Sequence, residues 1–145
     1  MASSSCPRID PTNISGDDDW RKPFLDYFNH GKLPSDTVER RRLQRCLPSY
    51  VVKARTLYWR SFGHEMLLRC VSRNEADHIL KEVHHGVCGG HQSGPKMYHS
   101  IMLCGYCWPR IMKDCLNIAR SCHICQIYGV IKHQPPVLLH PTVPA

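Results

Sequence analysis

Two histidines and two cysteines in this chain have the types and spacing of metal ligands. His84 and His91 flank the turn "HGVCGG" within "EVHHGVCGGH", and Cys122 and Cys125 form a C-x-x-C in "SCHIC". Structural zinc sites are closed and tetrahedral, built from thiolate sulfurs and imidazole nitrogens, with a short spacing inside each ligand pair and a longer one between pairs. The chemistry of such a set is structural: it staples a domain too small to hold itself together by apolar burial.

Other residues compete for that role. His85 adjoins His84, Cys88 lies inside the turn, and "CGYC" places Cys104 and Cys107 at a second C-x-x-C spacing. His85 reads as a surface histidine at a helix end. Cys88, Cys104 and Cys115 read as small buried hydrophobes. Between the two C-x-x-C pairs, helix-end placement favours Cys122 and Cys125, which look more like a zinc knuckle, yet spacing alone leaves both open. A redox use of "CGYC" would need a thiol activated at a helix N-terminus after a strand, and here the expected helix comes first.

The pairs need elements to bring them together. Ser72 and Glu75 in "SRNE" have capping-box spacing, and Ala76, Ile79, Leu80 and Val83 follow at i, i+3, i+4, i+7, so a helix should run into His84. A second helix is expected from near Ser93, with Pro95 in its first turn, burying Met97 and Ile101 with some help from Met102. A third should begin at Pro109, bury Ile111, Met112, Cys115, Leu116 and Ala119, and deliver the chain to Cys122.

Upstream, "DDDWRKPFLDYFNHG" sets Trp20, Phe24, Tyr27 and Phe28 at helical spacing behind acidic residues, with Gly31 to end the helix. Asp36 and Glu39 should open another helix over "TVERRRLQRCL", whose arginines read as a solvated face. Then "YVVKA", "TLYWR" and "MLLRCV" are short β-branched or aromatic runs, with "SFGH" as a turn, predicting two or three antiparallel strands packed on a helix. The fold class expected is mostly α with a small antiparallel β element: a zinc-stabilised helical (HHCC-type) module preceded by an α+β extension. The boundaries follow from these elements and from the composition of the two ends. Residues 1–15 form a loose leader, 16–71 the extension, 72–130 the zinc-binding module and 131–145 a Pro-rich linker.

The chain has 145 residues, a net charge of +7 with histidines neutral, and nine cysteines. Basic residues spread along the sequence make a surface that favours polyanions. No apolar run reaches the roughly 18 residues of a membrane span, and the N-terminus lacks the signature of an export signal. The protein is therefore expected to be soluble and intracellular, where an odd set of cysteines stays free or binds metal.

At these residues the sequence resembles a known family. "EADHILKEVHHGVCGGHQSGPKMYHSIMLCGYCWPRIMKDCLNIARSCHICQ" is similar to the zinc-binding (H2C2) N-terminal domain of integrase in gypsy-class long-terminal-repeat retrotransposons, in a plant-like form. The upstream "WRKPFLDYFNHGKLPSD" and "LYWRS" resemble what those polyproteins carry between ribonuclease H and integrase. The resemblance implies that His84, His91, Cys122 and Cys125 hold one structural Zn2+, and that His85 and Cys88 do not. The family usually has a non-cysteine residue at position 104 and an aromatic at 107 before "WP", whereas both are cysteine here, a doublet that could divert zinc.

The resemblance also implies a non-catalytic role: assisting DNA integration by binding nucleic acid and joining integrase chains, with no membrane or small-molecule partner. Integrase chemistry requires metal-binding carboxylates on a separate domain, and after Glu82 the only acidic residue is Asp114. No catalytic residue is therefore expected, and the chain reads as an integrase polypeptide without its catalytic core. Lys96, Arg110, Lys113 and Arg120 are the candidates for DNA phosphate contact. Two alternatives stand beside this reading: a protein-interaction scaffold that does not bind DNA, and a thiol protein using Cys104 and Cys107.

Overall fold

The computed structural model describes residues 19–61, 66–86 and 90–128. The expected leader and linker, most of the "SFGH" turn, and Cys88 lie outside the described residues.

Helix α1 (Lys22–His30) places Pro23 in its first turn and ends at Gly31, whose φ of 65° is the left-handed exit that glycine takes without strain. Helix α2 (Thr37–Cys46) is capped by the Asp36 carboxylate, which accepts from the Glu39 backbone N–H. A 3-10 turn over Leu47–Ser49 leads into strand β1 (Tyr50–Lys53), followed by β2 (Thr56–Arg60) and β3 (Leu67–Cys70). Both antiparallel pairings are regular, with Trp59 opposite Tyr50 on one side and Leu68 on the other. The β1–β2 turn is made by Ala54 and Arg55, both at positive φ. That geometry suits the twist of a two-residue hairpin, although neither residue is a usual choice for it.

Helix α3 (Arg73–His85) opens with a complete capping box: the Ser72 hydroxyl accepts from the Glu75 N–H, and the Glu75 carboxylate accepts from the Ser72 N–H at 2.8 Å. Helix α4 (Gly94–Leu103) follows, with Ser93 at its N-cap position. Strand β4 (Tyr106–Cys107) then adds to β3 in parallel, so the sheet has four strands in the order β1-β2-β3-β4. Residue patterning predicts two or three antiparallel strands and none at this point; the pairing with β3 is non-local, and two residues carry no readable alternation. Helix α5 (Ile111–Ser121) starts two residues later than Pro109 and leaves Met112, expected in the core, exposed at its surface. A short further helix, α6 (His123–Tyr128), carries Cys125.

Side chains alternate across a strand, and the inner face of the sheet (Tyr50, Leu57, Trp59, Leu68, Cys70, Cys107) is buried under the helices. One apolar core runs from Trp20 and Phe24 through these residues to Leu80, Met97, Ile101, Trp108, Ile111 and Cys115. Residues from both sides of position 72 share it. Helices α4 and α5 pack very closely: a Cβ on Gly94 would meet the Leu116 backbone at 3.0 Å, so only glycine fits there without a shift.

Candidate metal centre

The first pair of candidate ligands hangs on the end of α3 and the turn after it. His84 faces inward from the last turn of α3 and is 0% exposed. Gly90 and His91 both adopt left-handed backbone, at φ 54° and 51°, and the His91 N–H returns to the His84 carbonyl at 3.2 Å. A non-glycine residue in this region is held there at a cost by its surroundings. The result is to set the His91 ring beside that of His84, with centroids 5.1 Å apart and nearly perpendicular.

The second pair comes from the junction of α5 and α6. Cys122 is the C-cap of α5, and Cys125 lies one turn into α6. Cys122 Sγ is 3.3 Å from His91 Nδ1, and Cys125 Sγ is 3.5 Å from His84 Nε2. The four donor atoms all lie within 4.8 Å of one another. Zinc–sulfur and zinc–nitrogen bond lengths give a tetrahedral S···N edge of about 3.6 Å. The two short contacts therefore have the size of edges around one ion, and the set is positioned to bind a metal.

The local electrostatics agree. Burial, then the neighbouring His85 and His91 rings, lower the His84 pKa, with the Gln92 backbone acting in the opposite sense. That favours the neutral imidazole, the form that ligates. The Cys125 backbone N–H, helped by the Cys125 side chain and the Ile124 N–H, holds the Cys122 thiol below its ordinary 9.0, the direction that favours thiolate. Burial pushes Cys125 the other way. His84 Nδ1, the ring nitrogen other than the one beside Cys125, is buried with no partner of hydrogen-bonding geometry.

The competitors are elsewhere. His85 is exposed, though its ring stands 5.4 Å from that of His91. Cys104 is the exposed C-cap residue of α4, at the opposite end of a helix from the position that activates a thiol. Cys107 faces the inner side of the sheet, where its sulfur is 3.6 Å from that of Cys70 and 3.8 Å from the Leu68 carbonyl. Among the described residues, Cys104 and Cys107 belong to no metal-sized cluster. Sequence alone does not reveal the Cys70–Cys107 contact, because it depends on the non-local pairing of β3 with β4.

Of the four candidate phosphate contacts, Lys96 is exposed on α4, Arg110 is the half-exposed N-cap of α5, and Lys113 and Arg120 are exposed along α5. The spacing of Lys113 and Arg120 is two helical turns, which puts them on one side of the helix. Asp114, the one acidic residue in this part of the chain, is structural: it accepts from the Trp108 indole at 2.9 Å and from Arg73 at 3.3 Å, tying α5 to the start of α3.

No curated protein and no solved structure matches the chain. Among the described residues, no helix is long and apolar enough to cross a membrane. A family model does match, over residues 71–130, and it is that of the integrase zinc binding domain. The match spans both ligand pairs and the helices that join them, and the domain it describes is non-catalytic and holds one structural zinc. Residues 71–130 are an integrase zinc-binding domain of the H2C2 kind.

Proposed function

We infer that His84, His91, Cys122 and Cys125 are the ligands of that zinc, and that the domain serves a retrotransposon-type integrase by binding DNA and contacting other integrase chains. The single observation that carries this reading is the convergence of four donors within 4.8 Å, all from the segment that matches the integrase family model. When bound, the metal joins the end of α3 to the α5–α6 junction and supplies folding energy rather than reaction chemistry.

DNA binding is supported by the net charge of +7 and by Arg110, Lys113 and Arg120 along α5 with Lys96 on α4, none of them with a carboxylate partner among the described residues. Contact with other integrase chains is supported by the apolar surface of α6, where Ile124, Ile127 and Tyr128 are 46%, 59% and 82% exposed.

Titration of a labelled DNA duplex with the zinc-loaded protein over a range of salt concentrations tests the DNA part. Log affinity should fall linearly with log salt, and replacing Arg110, Lys113 and Arg120 by alanine should reduce the slope by about 0.9 for each phosphate that is no longer neutralised. Absence of duplex binding at low salt would favour the protein-interaction scaffold instead.

A further inference from the structure

The outer face of the sheet carries none of the four candidate metal ligands, and its composition is unusual. On this face Tyr58 lies opposite Val51 on one side and Arg69 on the other, and Arg69 in turn lies opposite Tyr106. A single row across all four strands therefore reads Val51, Tyr58, Arg69, Tyr106. The two tyrosines are half-buried, Tyr106 resting partly against the core, and Arg69 is exposed. They stand two strand spacings apart, about 10 Å, wide enough for each ring to take a separate planar group.

Cations border this row. Lys53 and Arg60 point to the same side as Tyr58 by strand alternation, and Arg55 sits in the adjoining hairpin turn; all three are exposed. None has a carboxylate partner among the described residues, and no acidic residue occurs in any of the four strands. Arg69 does have a partner, Glu75 at 2.8 Å, which fixes its guanidinium at the α3 end of the row and leaves the net field to Lys53, Arg55 and Arg60.

We propose that this sheet face is a binding surface for single-stranded nucleic acid, with bases stacking on Tyr58 and Tyr106 and phosphates meeting Lys53, Arg55 and Arg60. Partly exposed aromatic rings on a sheet face can be used only by bases whose faces are free, which a duplex does not offer. Lys53, Arg55 and Arg60, which have no carboxylate partner among the described residues, match a phosphate backbone better than a mixed-charge protein surface. The surface uses none of the residues inferred to contact duplex DNA, so it stands or falls separately from that reading.

The test is anisotropy of a fluorescein-labelled oligodeoxythymidylate of about a dozen nucleotides, titrated with the full zinc-loaded chain, alongside a DNA duplex. Tyr58→Ala and Tyr106→Ala should each weaken binding of the single strand about fivefold or more, the effect of removing one base–ring stack. Tyr58→Phe should bind like the parent, and duplex affinity should stay within about twofold for all of them. Zinc content and helical circular dichroism report whether each variant is folded; if an alanine variant is not, the exposed Arg60→Glu should still lower single-strand affinity by charge reversal alone. Failure of the parent to bind the oligonucleotide, or unchanged single-strand affinity in the folded alanine variants or in Arg60→Glu, overturns the proposal.

Discussion

The indole nitrogen of Trp20 donates to the carbonyl of Val71 at 2.9 Å, in the buried interior. Trp20 precedes α1, and Val71 is the first residue of the segment that matches the integrase zinc-binding family. Arg21 reinforces the link, reaching the Cys70 carbonyl at 3.2 Å and Glu75 at 3.4 Å. With the core shared between them, the extension and the zinc module should unfold together.

Trp20→Ala should therefore destabilise the whole chain by about 3–5 kcal/mol, the cost of emptying a large aromatic site. Trp20→Phe, which keeps most of the apolar volume and removes the donor, should cost about 1 kcal/mol. Urea unfolding followed by far-UV circular dichroism and by zinc release checks this. The two signals should shift in step, and a zinc transition unmoved by Trp20→Ala would show that the extension is an independent unit.

Asp114 should matter for stability rather than for chemistry. It is 9% exposed, and its carboxylate satisfies the Trp108 indole, so Asp114→Ala leaves a buried N–H without a partner and should cost about 1–3 kcal/mol. Thermal unfolding measures it. A variant as stable as the parent would mean that the indole finds another acceptor.

The thiols should divide sharply by reactivity. Cys115 is fully buried, and burial, followed by the charge of Asp114, pushes its pKa up to about 12. It stays protonated well below that pH, so iodoacetamide at about pH 8 should leave it unmodified in the native protein. Cys104 is exposed and should be alkylated under the same conditions, with zinc content unchanged. Peptide mapping by mass spectrometry reads both sites.

The capping box gives a pH signature. The Ser72 backbone N–H, with the Ser72 hydroxyl, Arg21 and Arg69 behind it, holds the Glu75 carboxyl below its ordinary 4.5. A carboxyl lowered in the folded state adds stability in full above pH 4.5 and loses it as the pH falls through the folded value. Glu75→Gln should thus be less stable than the parent at neutral pH, and the difference should shrink as the pH drops below 4.5. A difference independent of pH would assign the effect to packing rather than to charge.

Much of this architecture is legible in the residues. Ser72 and Glu75 announce the start of α3, Gly31 the end of α1, and Asp36 the start of α2, because capping is local chemistry with local spacing. The candidate ligands are legible as pairs of local spacing, although spacing alone leaves Cys122 and Cys125 in competition with Cys104 and Cys107. What escapes is non-local. Strand β4 is two residues long and exists only because β3 lies beside it, so the sequence does not mark Cys107 as a partner of Cys70 rather than of Cys104. Helix α6 is short and follows Cys122 without a break long enough to mark it. The left-handed backbone of Ala54 and Arg55 is hidden too, since neither is a residue type that favours it.

Zinc content of the purified chain, read by elemental analysis and repeated on His91→Ala and Cys122→Ser with Cys104→Ala as the comparison, bears straight on the metal centre. The convergence of His84, His91, Cys122 and Cys125 within 4.8 Å predicts one zinc per chain, absent from the first two variants and kept in the third. Cys122→Ser should also show less helical structure, because metal binding supplies much of the folding energy of such a module. A parent protein without zinc, or zinc that survives both His91→Ala and Cys122→Ser, would contradict the assignment of these four residues as its ligands.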